Sequence, residues 1–165
     1  MASYNSEQIA LTAGQGAERL SNGDNFGRIR STFFSFNTTD ELGGATLTTA
    51  DVADLVLLPA GARILGLFLA NEDLGTTVTT DFGLYGADGN GYISKDGTTT
   101  ADDIDFFKTG YALGTAVNAY ADITDDVTKT GFLTDKPVYV RATFTTVSTP
   151  TADKEFSGYV QYVVD

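Results

Sequence analysis

Val138-Tyr-Val-Arg-Ala-Thr-Phe-Thr145 decides the fold class. Val138, Val140, Ala142 and Phe144 fall on one parity, and Tyr139, Arg141, Thr143 and Thr145 on the other. Side chains alternate between the two faces of a strand, so this period of two predicts a strand with one face in a core. Downstream, Phe156, Val160, Tyr162 and Val164 repeat the pattern. The linker Ser148-Thr-Pro-Thr-Ala-Asp153 has the turn composition expected of a hairpin loop. Upstream, Val78, Phe82 and Leu84 alternate with Thr79 and Asp81 and run into the Gly-rich stretch Gly86–Gly91.

Further toward the N-terminus the period blurs. Asp54–Leu58 leads into the turn Pro59-Ala60-Gly61 and then Arg63–Ala70. There, Leu65, Leu67 and Leu69 share one parity while Ile64 and Phe68 hold the other, which predicts a central strand. Arg28–Phe36 is apolar on both parities through Ile29, Phe33, Phe34 and Phe36, as in a bulged strand or one buried on both faces. One helix is expected: Thr100 as cap, Asp102, Asp103 and Asp105 at the positive end of the dipole, Ile104, Phe107 and Tyr111 on one face, and Gly110 as terminator. Residues 1–27 are Gly-dotted and weakly patterned, which predicts an extended N-terminal arm. Residues 28–165 then form a single domain: all-β, an antiparallel β-sandwich or jelly-roll-like barrel with one short helix.

Composition narrows the chemistry. The chain of 165 residues has no His, Cys or Trp, and 22 Asp and Glu oppose 10 Lys and Arg. Without His or Cys, a Ser-His-Asp or Cys-His nucleophile cannot be built, nor can the usual zinc sites. A carboxylate pair for glycoside hydrolysis remains chemically open, but nothing nominates one pair among so many acids. The reading is therefore no enzyme and no cofactor. Asp88-Gly-Asn90-Gly opens like a calcium loop, yet Tyr92, Ile93 and Thr99 stand where an EF-hand needs a ligand, Gly and Glu. The Asp102, Asp103, Asp105 and Asp122, Asp125, Asp126 groups read as capping and solvated loop acids, so no metal site is assigned. A net charge of −12 disfavours nucleic-acid phosphate. No basic, apolar leader opens the sequence, and no apolar run reaches the ~20 residues of a membrane helix, so a soluble, cytoplasmically made protein is expected.

The charge is uneven. Residues 1–36 hold Arg19, Arg28 and Arg30 against Glu7, Glu18 and Asp24, so the whole net charge lies in residues 37–165. These three arginines are the candidate docking contacts of the arm. Phe33, Phe34, Phe36, Phe68, Phe82, Phe144 and Phe156 are assigned to the core, and Tyr85, Tyr92, Tyr139 and Tyr159 to the more polar parity or to loops. The two-sided strands also nominate Phe34, Phe36, Leu65 and Leu67 for a contact between subunits.

The segment Asp51-Val-Ala-Asp-Leu-Val-Leu-Leu-Pro-Ala-Gly-Ala-Arg-Ile-Leu-Gly-Leu67 resembles one found in tailed-phage virion proteins. In those proteins a leucine-rich strand reaches a Leu-Pro-x-Gly-Ala-(Arg/Lys)-(Ile/Val) turn and a second strand follows. Leu58, Pro59, Gly61, Ala62, Arg63 and Ile64 fill that pattern here. Asn71–Gly75, Thr77–Gly86 and an Asp-rich helical insertion at Asp102–Ala116 are similar too, so the resemblance spans residues 45–120. It implies a head decoration (cement) protein: a β-rich homo-oligomer, often a trimer, on the capsid surface, bound to the major capsid protein or other virion subunits. Arg19, Arg28 and Arg30 would make shell contacts. The alternatives are a tail, fibre or head-knob component, or a carbohydrate-binding β-sandwich, which would expose aromatic residues on one face.

Overall fold

The structure is a computed structural model. It describes residues 3–5, 29–43, 45–89, 92–93, 99–100, 102–125 and 134–164. Two sheets face each other. Sheet A has the order β1-β3-β10-β5-β8, from β1 (Ser3–Asn5), β3 (Val52–Leu58), β10 (Val138–Pro150), β5 (Gly75–Gly86) and β8 (Asp103–Ala112). Sheet B has the order β2-β11-β4-β9, from β2 (Ile29–Asn37), β11 (Glu155–Val164), β4 (Ala62–Asn71) and β9 (Val117–Asp122). A small pair, β6 (Tyr92–Ile93) with β7 (Thr99–Thr100), lies between β5 and β8 in the chain. Apart from the parallel β1–β3 contact, every pairing is antiparallel.

The pairings are nested. β2 pairs with β11, β3 with β10, β4 with β9 and β5 with β8. The chain therefore runs as one long hairpin whose halves, rolled up, place successive strands in opposite sheets. The added contacts β10–β5 and β11–β4 close each sheet. This is the strand order of a jelly roll, which meets the sequence expectation of a sandwich and selects between its two forms.

The turn at Pro59-Ala60-Gly61 is the corner that carries the chain from β3 in sheet A to β4 in sheet B. Gly61 takes φ +78° and Ala62 donates to the Pro59 carbonyl, as a type II turn requires. Thr134, itself buried, fastens the corner: its hydroxyl donates to the Pro59 carbonyl, its carbonyl accepts from Gly61 and its amide donates to Ala62. Of the expected hairpin loop 148–153, residues 148–150 continue β10 and residues 151–154 form another corner, because β10 pairs inside sheet A and β11 inside sheet B.

Three expectations are overturned. Among the described residues there is no helix: the stretch expected to be helical holds β8, preceded by β7. Asp102, read as a helix-end acid, instead accepts from the Gly86 amide at the end of β5. Gly110, read as a terminator, has φ +59° and donates its amide to Asp81, where a bulge breaks the β8–β5 register. A left-handed Gly serves a strand bulge as well as a helix end, so that signal has two meanings.

Second, β2 is neither bulged nor buried on both faces. It is an edge strand in unbroken register with β11, with Phe34 and Phe36 inward and Phe33 outward. Third, β4 does not keep Leu65 with Leu67. The register shifts so that Gln161 faces Gly66 while Tyr162 faces Ile64, which makes Leu65 the extra residue. Ile64 and Leu67 both enter the core, and Leu65 stays partly exposed.

The core is aromatic at its centre. Phe156 of β11 contacts Phe36 of β2 at 5.1 Å, Phe82 of β5 at 6.1 Å and Phe144 of β10 at 6.3 Å between ring centroids. Gly158 lies directly opposite Phe34, which packs over the space a side chain would fill. A Cβ there would stand 2.3 Å from the Phe68 carbonyl oxygen and 2.6 Å from the Phe34 ring. Gly158→Ala is expected to cost about 2 kcal/mol in urea unfolding through this overlap. Ser31→Ala, on the exposed side of β2, should stay within about 0.5 kcal/mol of the parent. Equal midpoints for the two variants would contradict the packing.

Candidate interaction surface

Each sheet has an outer face, and the two differ in chemistry. On sheet A, Arg141 of β10 lies between Asp54 of β3 and Gly83 of β5. Its Nη2 donates to Asp54 Oδ2 at 2.9 Å and its Nε to Oδ1, a two-pronged ion pair. The guanidinium carbon sits 4.4 Å from the centroid of the Tyr85 ring, and the Tyr85 hydroxyl bonds Thr143 at 3.2 Å. Burial alone would lower the Arg141 pKa, but the hydrogen bond and charge of Asp54 outweigh it and raise it. Burial raises Tyr85 above its ordinary 10.0, against the pull of the Thr143 hydrogen bond and the Arg141 charge. This cluster joins three strands and reads as structural.

Sheet B turns a different face outward. Alternation puts Ile29, Ser31, Phe33 and Ser35 of β2 on it, with Ser157, Tyr159, Gln161 and Val163 of β11. Arg63, Leu65, Phe68 and Ala70 of β4 and Tyr120 and Asp122 of β9 complete it. An aromatic row crosses all four strands. Tyr159 is its centre, 5.2 Å from Phe33, 4.8 Å from Phe68 in a near-parallel stack at 11°, and 5.4 Å from Tyr120. Ile29, Phe33 and Tyr120 are 64%, 54% and 49% exposed, and they are three of the four large hydrophobic residues exposed among the described residues. The charged strand residues on this face are one cation, Arg63, and two anions, Asp122 and Glu155, all near strand ends. Large exposed apolar patches mark contact surfaces.

The sequence-derived site residues divide sharply. Arg19 and Arg28 lie outside the described residues. Arg30 is half-buried on β2, opposite Tyr162. Phe34, Phe36 and Leu67 are core residues with their side chains between the sheets, so they offer nothing to a partner. Leu65 alone of the four nominated contact residues reaches the outer face. Phe33 and Phe68, assigned to the core, are outward instead. The signal for this face was Tyr159 on the polar parity of β11, flanked by Ser157 and Gln161. Tyr120 had no signal of its own.

Among the described residues no three carboxylates stand close enough to hold a metal ion. Of the Asp-rich groups, Asp122 accepts from the Thr124 amide, Asp105 from the Thr109 hydroxyl, and Asp125 pairs with Lys108. Asp126 and the end of the Asp88–Asn90 loop lie outside the described residues. A shallow cavity of about 240 Å³ at one end of the sandwich, lined by Thr38, Thr39, Thr46, Leu47, Pro150 and Thr151 among others, has no carboxylate in its wall.

A two-sheet jelly roll with one polar and one aromatic outer face is the class these features define. Two phage capsid chains are similar to it in fold. A chain of the capsid of Ralstonia phage GP4 superposes with a TM-score of 0.71 at 19% identity, covering 99% of each chain. A chain of the cyanophage Pam1 capsid asymmetric unit gives 0.60 at 24% identity, covering 93% of this chain and 99% of that one. No protein-family model and no curated protein sequence matches. At these identities the likeness is one of fold, over the whole chain.

Asp54→Ala should cost about 3 kcal/mol in urea unfolding, because it strands a partly buried guanidinium. Asp54→Leu combined with Arg141→Leu should recover most of that loss; a double variant as weak as the single one would contradict the pairing. The raised Tyr85 pKa gives a second expectation. A raised folded-state pKa stabilises fully below the unfolded value of 10.0 and is lost as pH rises through the folded value. Tyr85→Phe should therefore show a smaller drop in urea midpoint than the parent between neutral pH and pH above 10.0. Equal drops would rule out a Tyr85 contribution.

Proposed function

We propose that this protein is a structural component of a tailed-phage virion, a decoration (cement) protein bound to the outside of the capsid shell. The observation that carries the reading is the end-to-end likeness of the chain to capsid chains from two phages. The Leu58–Ile64 turn pattern supports it from the sequence side. The role is mechanical rather than catalytic: many copies bury surface across neighbouring shell subunits, and weak contacts multiply over the lattice. The protein is made in the host cytoplasm and acts at the capsid surface, with the major capsid protein as partner. Arg19, Arg28 and Arg30 remain the residues proposed for shell contacts.

One observation favours a second reading. Exposed aromatic residues on a single sheet face are what a carbohydrate-binding sandwich presents. Here, however, Phe68 and Tyr159 stack on each other, so the ring faces a sugar would need are already used.

Immunogold electron microscopy on source particles, with antibody to the recombinant protein, tests the proposal. Label spread over the heads is the expected result. Label confined to the tail or one vertex, or absent from all particles, would overturn it, and binding of the purified protein to a glycan array would then establish the second reading.

A further inference from the structure

We propose that the outer face of sheet B is a self-association interface, on which the same face of a second copy packs about a two-fold axis. The inference rests on this chain's own surface and holds whichever virion partner the protein has. Its first support is charge. Two copies carrying −12 each repel, and they meet most closely through a face where acids are few. A partner of opposite charge would need no such face, since the acidic remainder of the surface would serve it. Sheet B supplies the acid-poor face: Arg63, Asp122 and Glu155 are its charged strand residues, Asp122 beside Phe68, and the rest of the row is Ile29, Phe33, Tyr120 and Tyr159.

Its second support is size and shape. Four strands at about 4.8 Å spacing, averaging about nine residues at about 3.3 Å each, span on the order of 500 Å². Two copies would bury about 1,000 Å², the lower bound of a specific interface. Sheets pack face to face about 10 Å apart with their strands nearly aligned, which suits a flat row of rings crossing every strand. A two-fold contact uses one patch against itself, whereas a closed ring needs two different patches on each copy. Three of the four exposed large hydrophobic residues among the described residues lie on this one face, so a two-fold contact through it replaces the trimer that the phage resemblance implies.

Sedimentation equilibrium of the purified full chain tests this. The parent protein is expected to dimerise, more tightly as ionic strength rises from about 0.05 to about 0.5 M, because salt screens the repulsion between acidic bodies. Phe33→Asp should weaken the dimer by more than about tenfold with circular dichroism unchanged. Tyr120→Ser, at an exposed edge-strand position, gives an independent loss if Phe33→Asp fails to fold. Ile104→Asp, the same kind of change at the exposed hydrophobic residue of β8, should leave the dimer intact. A monomeric or trimeric parent, a dimer weakened by salt, or a dimer indifferent to both face variants would overturn the proposal.

Discussion

The structure depends on Phe156. Its ring meets Phe34 and Phe36 from its own sheet and Phe82 and Phe144 from the other. Aromatic pairs of this kind add about 0.5–1.5 kcal/mol each beyond the area they bury. Phe156 is also the second residue of β11, the strand that joins β2 to β4 and so completes sheet B. The nested pairings therefore converge on one residue: unless β11 arrives, β2 has no sheet and the inner face of sheet A has no cover. Because β2 and β11 stand at opposite ends of the hairpin, with Ile29 facing Val163, this closure is non-local and should be among the slower steps of folding.

Where the sequence was legible, one physical cause acted alone. Val138–Thr145 alternates because its strand is interior, with one apolar face and no bulge within the alternating run Val138–Phe144 on the β5 side. Where two causes competed, it was not. Phe33 and Phe34 are equally apolar, and only the partner strand decides which enters: Gly158, opposite Phe34, leaves room for one ring on the inner side. A one-residue change of register would exchange the core and surface sets. Leu65 was misplaced for a related reason, since a bulge shifts parity without leaving a mark in an all-apolar run. Within residues 100–110, Asp102 does accept from a backbone amide, but it is that of Gly86 at the end of a neighbouring strand, and Gly110 donates its own amide to Asp81 at a strand bulge rather than ending a helix.

That last error reveals what much of the acidity is for. Asp51 accepts from the Thr48 amide, Asp73 from Gly75, Asp81 from Gly110, Asp102 from Gly86 and Asp122 from Thr124. Short carboxylates are suited to satisfying amides that turns and bulges leave without a ladder partner. A jelly roll has many corners, and this chain caps them with Asp. The net charge is then partly a consequence of topology.

On so acidic a chain the aromatic face is shielded in part by its own packing. Stacking of Tyr159 on Phe68, with Phe33 and Tyr120 leaning on the same ring, hides part of each residue while keeping the row intact. The acidic rim repels other bodies at long range, so approach to the row is selective rather than general. Moving the acids inward would end any contact there, and removing them from the corners would cost the turns that build the sheets. The same residues that shape the roll therefore also restrict what can reach the aromatic row.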